Sequence, residues 1–279
     1  MKLATWNINS ARARADRVLD VLQRHDLDVL ALQEIKCKPE QFPREQIEAA
    51  GYKVIAHGFN QWNGVALISR LNMADVRTSF PGQPGFIKGS PTSDSLFLRS
   101  PDPEARALGA LINGVEIWSL YIPNGRAVGD PHYHYKLEFL DQLNSYAQST
   151  LNTNPEAKIA FVGDWNVIPY DDDVWDPSAM EDGLYLSEPE REAFFALEQT
   201  GMCEVTRNLV TNYTYWDYQQ LRFPKNQGMR IDYIYASPAL ASLTKTAQID
   251  RDERKGKGAS DHVPVIATFT TEHSSAEDI

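Results

Sequence analysis

The sequence of 279 residues predicts an α/β fold in which sheets pack together and helices cover their outer faces. Short apolar runs alternate with amphipathic stretches, and the strand-like runs, joined by both hairpins and crossovers, outnumber the helical ones. The strands are spread along the whole length, and no Gly/Ser- or Pro-rich linker divides them. We therefore expect one domain over residues 1–270, followed by a flexible acidic tail over 271–279.

The strands are predicted from apolar composition and from their length. In chain order they cover 3–8, 28–33, 64–69, 107–112, 115–121, 158–163, 231–236, 243–249 and 263–269. Asn113-Gly114 separates two of them, and this dipeptide favours a two-residue turn with left-handed backbone. The two flanking strands are therefore expected to pair as a hairpin.

Three helices are predicted between these strands. Apolar residues recur at helical spacing from Ala15 to Leu22. Asp130-Pro131 supplies an N-cap and a first-turn proline for a helix that runs to about Leu151. A third helix covers 190–200 and ends at Gly201, because glycine adopts the left-handed conformation that commonly terminates a helix.

The net negative charge of the chain comes from two segments. The chain has 27 basic and 38 acidic residues, and its net charge of −11 argues against a protein that simply coats nucleic acid. Residues 171–192 hold nine acidic residues and one arginine, and 271–279 hold three more acidic residues. The remainder is formally neutral. Because 42% of the residues are hydrophobic, a disordered chain is also excluded.

Cysteine content and hydropathy bear on the compartment. Cys37 and Cys203 are the two cysteines of the chain, too few and too far apart for a secreted disulfide framework. The N-terminus lacks the features of a signal peptide, and no apolar run approaches 18 residues. We therefore expect a cytoplasmic protein, most simply a monomer, with no membrane partner.

Polar side chains fall at the ends of the predicted strands. The segments concerned are Asn7 to Asn9, Gln33-Glu34, Tyr121, Gly163 to Asn166, Asp232 and Ser260 to His262. In α/β folds the functional crevice lies at strand ends, where the backbone fixes side chains that ligands can still reach. Carboxylates, amides, a phenol and an imidazole that meet there would suit a hard cation and a phosphate.

Each of these residues also has an ordinary structural interpretation. Glu34 could be an exposed acid at a strand end, and Asp164 could be a turn residue. His262 and Tyr121 could serve packing alone. Taken singly the signals are weak, so the functional hypothesis depends on their occurring together.

Taken together, these blocks resemble the exonuclease III family of apurinic/apyrimidinic endonucleases. The blocks are Thr-Trp-Asn-Ile-Asn (5–9), Leu-Gln-Glu (32–34), Tyr-Ile-Pro-Asn-Gly (121–125), Gly-Asp-Trp-Asn (163–166), Arg-Ile-Asp-Tyr (230–233) and Ser-Asp-His (260–262). The resemblance implies a four-layer α/β sandwich with two packed mixed β-sheets between helices. It also implies a DNA-repair nuclease of the wider superfamily that includes inositol phosphate phosphatases.

The resemblance assigns one set of residues to a metal ion. Glu34 is expected to bind Mg²⁺ directly, with Asn7 and Asp261 as further ligands or organisers of water. Mg²⁺ favours one or two carboxylates together with water and substrate phosphate. Mn²⁺ is expected to substitute for Mg²⁺. The number of carboxylates permits either one or two ions.

A second set is assigned to catalysis. Asp164 is expected to position and deprotonate the attacking water, and Asn166 to contact the phosphate or orient Asp164. His262 would donate to a non-bridging oxygen, with Asp232 fixing its tautomer and raising its basicity. Tyr121 would contact the phosphate, and a proton-transfer role is also considered for it.

A third set is assigned to binding of the substrate. Its members are Asn9, Arg12, Tyr215, Trp216, Met229, Arg230 and Ile231. The apolar members would line a pocket for an extruded abasic sugar, and Arg230 would contact the DNA backbone. The alternative is that the apolar ones are core residues.

Basic groups at 12–17, 222–230 and 251–257 adjoin the motif blocks and would bind phosphates of the DNA. For 251–257, a loop face exposed to solvent is an equal alternative.

The expected function is therefore Mg²⁺-dependent cleavage of duplex DNA 5′ to abasic sites, leaving a 3′-hydroxyl. By resemblance, 3′→5′ exonuclease and 3′-end-cleaning activities are also expected. A phosphatase or phosphodiesterase for small substrates is a rival, against which Trp216 and the block 230–232 argue. A non-catalytic nucleic-acid-binding relative is a second rival, but binding alone has no use for a metal site.

Overall fold

Two six-stranded mixed β-sheets form the centre of the molecule. The computed structural model describes residues 1–86, 103–180 and 183–270. The strands are β1 (Lys2–Asn7), β2 (Val29–Gln33), β3 (Lys53–His57), β4 (Val65–Ser69), β5 (Met73–Arg77), β6 (Ala107–Ile112), β7 (Val115–Tyr121), β8 (Ile159–Asp164), β9 (Cys203–Glu204), β10 (Asp232–Ala236), β11 (Thr244–Ile249) and β12 (Val265–Phe269). The first sheet has the order β11-β12-β1-β2-β4-β3, and the second has the order β5-β6-β7-β8-β10-β9.

Each sheet contains one parallel pair among antiparallel ones. β1 runs parallel to β2, and β7 runs parallel to β8. The hairpin β6–β7 turns at Asn113-Gly114, and both residues have the positive φ that the dipeptide predicts. In each parallel pair the carboxyl ends of the strands lie together, so the residues that follow them are brought to the same edge.

The helices cover the outer faces of the two sheets. They are α1 (Ala15–Arg24), α2 (Glu45–Ala49), α3 (Pro131–Thr153), α4 (Glu188–Gln199) and α5 (Pro238–Ala241), with short 3₁₀ helices at Pro39–Gln41, Asp171–Asp173, Pro177–Ala179 and Arg251–Arg254. The Asp130 side chain caps α3 by accepting from the backbone N–H of His132. None of the helices in the described ranges is long and apolar enough to cross a membrane.

The apolar core has three principal parts. One lies between the sheets and joins residues such as Val29 and Leu67 of the first sheet to Ile117 and Val162 of the second. A second packs β7, β8 and β10 against α3 and α4, and a third packs β1, β2 and β4 against α1 and α2. The four-layer α/β sandwich that the resemblance implies is therefore confirmed.

The sequence-based list predicted the edge strand β11 but missed three other strands at sheet edges. β3, β5 and β9 were not predicted, because they lie at or beside sheet edges and lack a continuous apolar run. The three central residues of β5 are all exposed. A strand that is not buried on both faces gives a weaker apolar signal than a central one. The predicted acidic tail 271–279 lies outside the described residues.

Candidate active site

The strand ends of both sheets meet at one edge of the sandwich. Asn7 ends β1 and pairs in register with Gln33, the last residue of β2. In the other sheet, Asp164 at the end of β8 pairs with Asp232 at the start of β10 and with Tyr121 at the end of β7. The sheets face each other, so the polar residues of the two edges converge.

Asn7 joins the two sheets through its side chain. Its Nδ2 donates to Glu34 Oε1 and to Asp164 Oδ2, each at 2.9 Å. The Tyr121 hydroxyl donates to the same Glu34 oxygen at 2.9 Å. Lys36 Nζ lies 2.7 Å from the other carboxylate oxygen of Glu34. The two acids are therefore held on either side of one amide group.

His262 and Asp232 form a buried pair beside Asp164. His262 Nδ1 lies 2.8 Å from Asp232 Oδ2, which also accepts from the Thr214 hydroxyl at 2.7 Å. His262 Nε2 faces Asp164 Oδ2 at 3.7 Å. The pair with Asp232 fixes the orientation of the imidazole ring, so Nε2 is directed towards Asp164.

The environment shifts the pKa values of these groups. Burial raises the pKa of Asp164 to about 7, although the charge of His262 opposes this rise. Burial alone would lower the pKa of His262, but the charges of Asp232 and Asp164 outweigh it and raise the pKa. Burial also disfavours ionised Glu34, yet the charge of Lys36 and the Asn7 hydrogen bond bring the Glu34 pKa below its usual range.

The remaining polar residues predicted for the site surround this cluster. Asn166 has a positive φ, and its backbone N–H donates to Asp164 Oδ1 at 3.1 Å. Its side chain donates to the Ile122 carbonyl at 3.0 Å, so it orients the loop of Asp164. Asn9 Nδ2 donates to Asp261 Oδ1 at 3.1 Å. Asn9 and Asp261 thus lie together at the site.

The donor set of the site fits a hard divalent cation. In the part of the chain that the structure describes, ligand atoms of Asp164, Asp232 and His262 lie within 4.8 Å of one another. Asp232 Oδ1 is buried without a hydrogen-bond partner among the described residues. These three residues are not the ones that the sequence analysis assigns to the metal ion, which are Glu34, Asn7 and Asp261. Since hydrogen bonds already occupy Asp232 Oδ2 and His262 Nδ1, Glu34 on the more open side of Asn7 remains the better candidate for Mg²⁺.

A cavity of about 250 Å³ opens beside His262. Tyr215 and Met229, both predicted for substrate binding, line it together with Trp175, Tyr185 and several polar side chains. The Tyr215 ring packs against the His262 ring at 4.9 Å between centroids. Ile231 is buried behind this wall, in an apolar cluster with Tyr215 and Met229. The cavity is therefore connected to the catalytic cluster through the Tyr215 ring.

Trp216 and Arg230 are buried in the interior of the protein and do not make the predicted contacts with substrate. Trp216 is fully buried in the core between the sheets, where its ring leaves no room for a Cβ on Gly228. Alternate residues of an extended segment face opposite sides, so Tyr215 faces the cavity and Trp216 faces the core. Arg230 is 1% exposed and donates to Thr206 and to the Val210 carbonyl. Neither side chain is available to DNA.

The predicted basic groups also differ from one another in exposure. Arg12 is exposed on the loop after β1. Arg17 pairs with Glu253 at 3.0 Å, and Arg254 donates to the Trp216 carbonyl at 3.0 Å. These two arginines hold the loop 251–257 in place, so that loop is less available for phosphates than its charge alone predicts.

Sequence reasoning missed several residues of the site. Lys36 bonds Glu34 and donates to Asn9 Oδ1 at 2.6 Å, and its position two residues after Glu34 was a usable signal. Trp175 and Tyr185 line the cavity but lie in an irregular acidic segment. Their sequence context carries no periodicity that could have identified them.

Known proteins share this fold and are similar to this chain in sequence. The model of the endonuclease/exonuclease/phosphatase family matches residues 4–262. Exodeoxyribonuclease III of Haemophilus influenzae is 29% identical over 285 residues, which cover 96% of this chain and 100% of that protein. A 3′–5′ exonuclease from Neisseria meningitidis superposes with a TM-score of 0.86 at 31% identity, covering 97% of this chain and 100% of that chain. An AP endonuclease from Archaeoglobus fulgidus superposes with a TM-score of 0.84 at 29% identity, with the same coverage.

Proposed function

Because the chain belongs to the endonuclease/exonuclease/phosphatase family, and within it to the exonuclease III group, we propose that it is a Mg²⁺-dependent DNA-repair nuclease. Its main reaction is hydrolysis of the phosphodiester 5′ to an abasic site in duplex DNA. Removal of nucleotides and blocking groups from 3′ ends is a second activity of the same site. The substrate is duplex DNA with abasic sites or 3′ ends.

One observation carries the proposal. Asn7 bridges Glu34 and Asp164, while His262 faces Asp164 from its pair with Asp232. Hydrolysis of a phosphodiester needs an activated water, neutralisation of phosphate charge and stabilisation of the leaving oxygen. The cluster supplies a carboxylate for the water, a cationic imidazole for the phosphate and a second carboxylate for a metal ion.

Each residue has a defined task in this mechanism. Asp164 orients a water for attack on phosphorus and accepts its proton as the new P–O bond forms. The bond from phosphorus to the 3′-oxygen then breaks, and the leaving oxygen takes up a proton from solvent to become the 3′-hydroxyl. His262 donates from Nε2 to a non-bridging oxygen, and Asp232 holds the ring in the required orientation. Tyr121 contacts the phosphate, and Asn7 keeps Glu34 and Asp164 in place beside it.

Glu34 would hold the Mg²⁺, with Asn7 and Asp261 organising its surroundings. The ion supplies positive charge that stabilises the developing charge on the phosphate and the leaving oxygen. Lys36 neutralises Glu34 in the structure described here, at 2.7 Å between Nζ and Oε2. Binding of the ion would therefore require Lys36 to share that carboxylate or move away from it.

The cavity beside His262 supports recognition of a nucleotide that lacks its base. Tyr215, Met229 and Trp175 provide apolar walls, and the cavity adjoins the residue that would contact the phosphate. A site without a base is easier to extrude from the duplex, and a confined pocket excludes bulkier groups. Neither property requires readout of sequence, which agrees with repair of lesions in any context.

The proposal is tested with two duplex oligonucleotides, one carrying an abasic analogue and one intact, in Mg²⁺ or in chelator. We expect metal-dependent incision 5′ to the lesion by the wild-type protein and loss of incision in Asp164→Asn. Binding of the duplex without incision would contradict the proposal in favour of a non-catalytic role. Hydrolysis of small phosphate esters but of neither duplex would favour the small-substrate phosphatase.

A further inference from the structure

A lysine of α3 lies fully buried directly behind the catalytic loops. Lys136 and Glu190 form an ion pair in which both side chains are 0% exposed. Glu190 also accepts from the hydroxyl of Ser187, its partner in the N-terminal cap of α4, at 2.6 Å. The pair thus joins two helices in the layer outside the second sheet.

The ammonium group reaches beyond Glu190 to the backbone of two loops. Lys136 Nζ donates to the carbonyl oxygen of Asn166 at 2.5 Å. It lies 3.5 Å from the carbonyl oxygen of Asn124. Asn166 follows Asp164 by two residues, and Asn124 follows Tyr121 by three. One buried cation therefore holds the loops after both strands of the parallel pair β7–β8.

These loops need such support because their backbone is irregular. Asn166 has a φ of +50°, a conformation that side-chain-bearing residues adopt less readily than glycine. Its backbone N–H donates to Asp164 Oδ1, and its side chain donates to the Ile122 carbonyl at 3.0 Å. A shift of the Asn166 peptide would therefore rotate the Asp164 carboxylate.

The chemistry of the pair argues for a role in geometry. Burial lowers the pKa of Lys136, whereas the charge of Glu190 opposes this effect. A buried ion pair is commonly no more stabilising than apolar residues of the same volume, because both charges lose their hydration. An apolar pair could fill this space but could not bind two carbonyl oxygens.

We propose that Lys136 is a positioning residue, whose buried ammonium fixes the Asn166 and Asn124 carbonyls and thereby the loops that follow Asp164 and Tyr121. The inference rests on the proposed nuclease function for its kinetic consequence only. Glu190 balances the charge of the ammonium group. Lys136 itself does not contact the substrate.

Three variants separate positioning from stability. Lys136→Met removes the ammonium and leaves Glu190 uncompensated, whereas the double variant Lys136→Met/Glu190→Gln removes both charges. Glu190→Gln keeps the ammonium and its two carbonyl partners. For each variant we would measure the melting temperature, the single-turnover rate and KM on the abasic duplex, and amide hydrogen exchange in 122–125 and 164–168.

We expect the double variant to regain most of the melting temperature lost in Lys136→Met, because no buried charge is left unpaired. Its single-turnover rate should stay about 100-fold below wild type with little change in KM, since small misplacements of reacting groups cost about that much. In the double variant, the rate of amide hydrogen exchange in the two loops should rise about tenfold, because the loops open more often. The exchange rate in β7 and β8 should stay unchanged. Glu190→Gln should keep a rate within about threefold of wild type, because the bonds to the loops remain.

A double variant with the wild-type rate and unchanged loop exchange would overturn the proposal. An equal loss of rate in Glu190→Gln and Lys136→Met would also overturn it, because charge balance and not the bonds to the loops would then govern the rate. If the double variant fails to fold, the rates of the two single variants, Glu190→Gln and Lys136→Met, still test the proposal. An inactive wild-type protein would contradict the proposed nuclease function. Amide hydrogen exchange in the two loops would then still test whether Lys136 positions them, because it does not depend on activity.

Discussion

The catalytic cluster and the cavity beside it are built in different ways. Asn7, Asp164, Asp232 and His262 are buried, and each is bound to at least one other residue of the site. Their positions follow from strands in both sheets. The cavity walls Trp175, Tyr185, Tyr215 and Met229 are half-buried and come from connecting segments. The chemistry is thus fixed by the sheets, and recognition depends on the loops.

This difference separates two kinds of effect. A change in the cluster should alter the rate on every substrate alike, because the same groups act on any phosphodiester. A change in the cavity should alter the preference among substrates, because it contacts the part that differs between them. Each variant below is chosen to break or sharpen that distinction.

The largest effect is expected for Asp164→Asn. The substitution keeps the size of residue 164 and one accepting oxygen, but it removes the carboxylate that accepts the proton, so turnover should fall by about 10³-fold. Stability should change little, since the loss of one accepted hydrogen bond is offset by the removal of a buried charge. Rates on abasic and intact duplexes, with thermal melting as a control, test this. A variant with near-normal turnover would exclude Asp164 as the base.

The next largest effect is expected for Glu34→Gln. An amide is a weaker Mg²⁺ ligand than a carboxylate, so turnover should fall by about 100-fold and recover in part at higher Mg²⁺. Rates across a Mg²⁺ titration measure both effects, and chelator should abolish the activity of the wild-type protein. A Glu34→Gln protein with an unchanged Mg²⁺ requirement would place the ion elsewhere, with the Asp164, Asp232 and His262 cluster as the alternative.

A smaller and selective effect is expected for Tyr215→Ala. Loss of one aromatic wall should lower kcat/KM on the abasic duplex by about tenfold, since a lost contact in an apolar pocket costs about 1–3 kcal/mol. Phenylalanine at the same position serves as the control, because it keeps the ring that packs on His262. An equal loss on intact DNA ends would mean that Tyr215 supports catalysis and not recognition.

The smallest kinetic effect is expected for Arg230→Met. Arg230 lies 3.6 Å from the buried side chain of Glu204 and does not reach the surface. Its loss should lower the free energy of unfolding by about 3 kcal/mol, the cost of a buried charge without its partner. Denaturant unfolding measures that loss. Turnover rates measured below the melting range should stay within about twofold of wild type. A specific loss of DNA affinity would instead support the predicted contact of Arg230 with the DNA backbone.

The sequence predicted the cluster well because the fold leaves little choice there. Once the strands before Asn7, Glu34 and Asp164 are recognised, the parallel pairs bring their ends together. The cavity was less predictable. Tyr215 and Trp216 are adjacent aromatics, and the chain alone does not indicate which one faces the core. Lys136 was missed for a similar reason, since a lysine on an amphipathic helix ordinarily faces solvent.

The most direct test of this account is the ratio of single-turnover rates on abasic and intact duplexes, measured with excess enzyme in Mg²⁺. We predict that Asp164→Asn lowers both rates and leaves the ratio within about threefold of the wild-type value. Tyr215→Ala should lower the ratio by about tenfold. A ratio that changes equally in both variants, or in neither, would contradict the division between chemistry at the strand ends and recognition in the cavity.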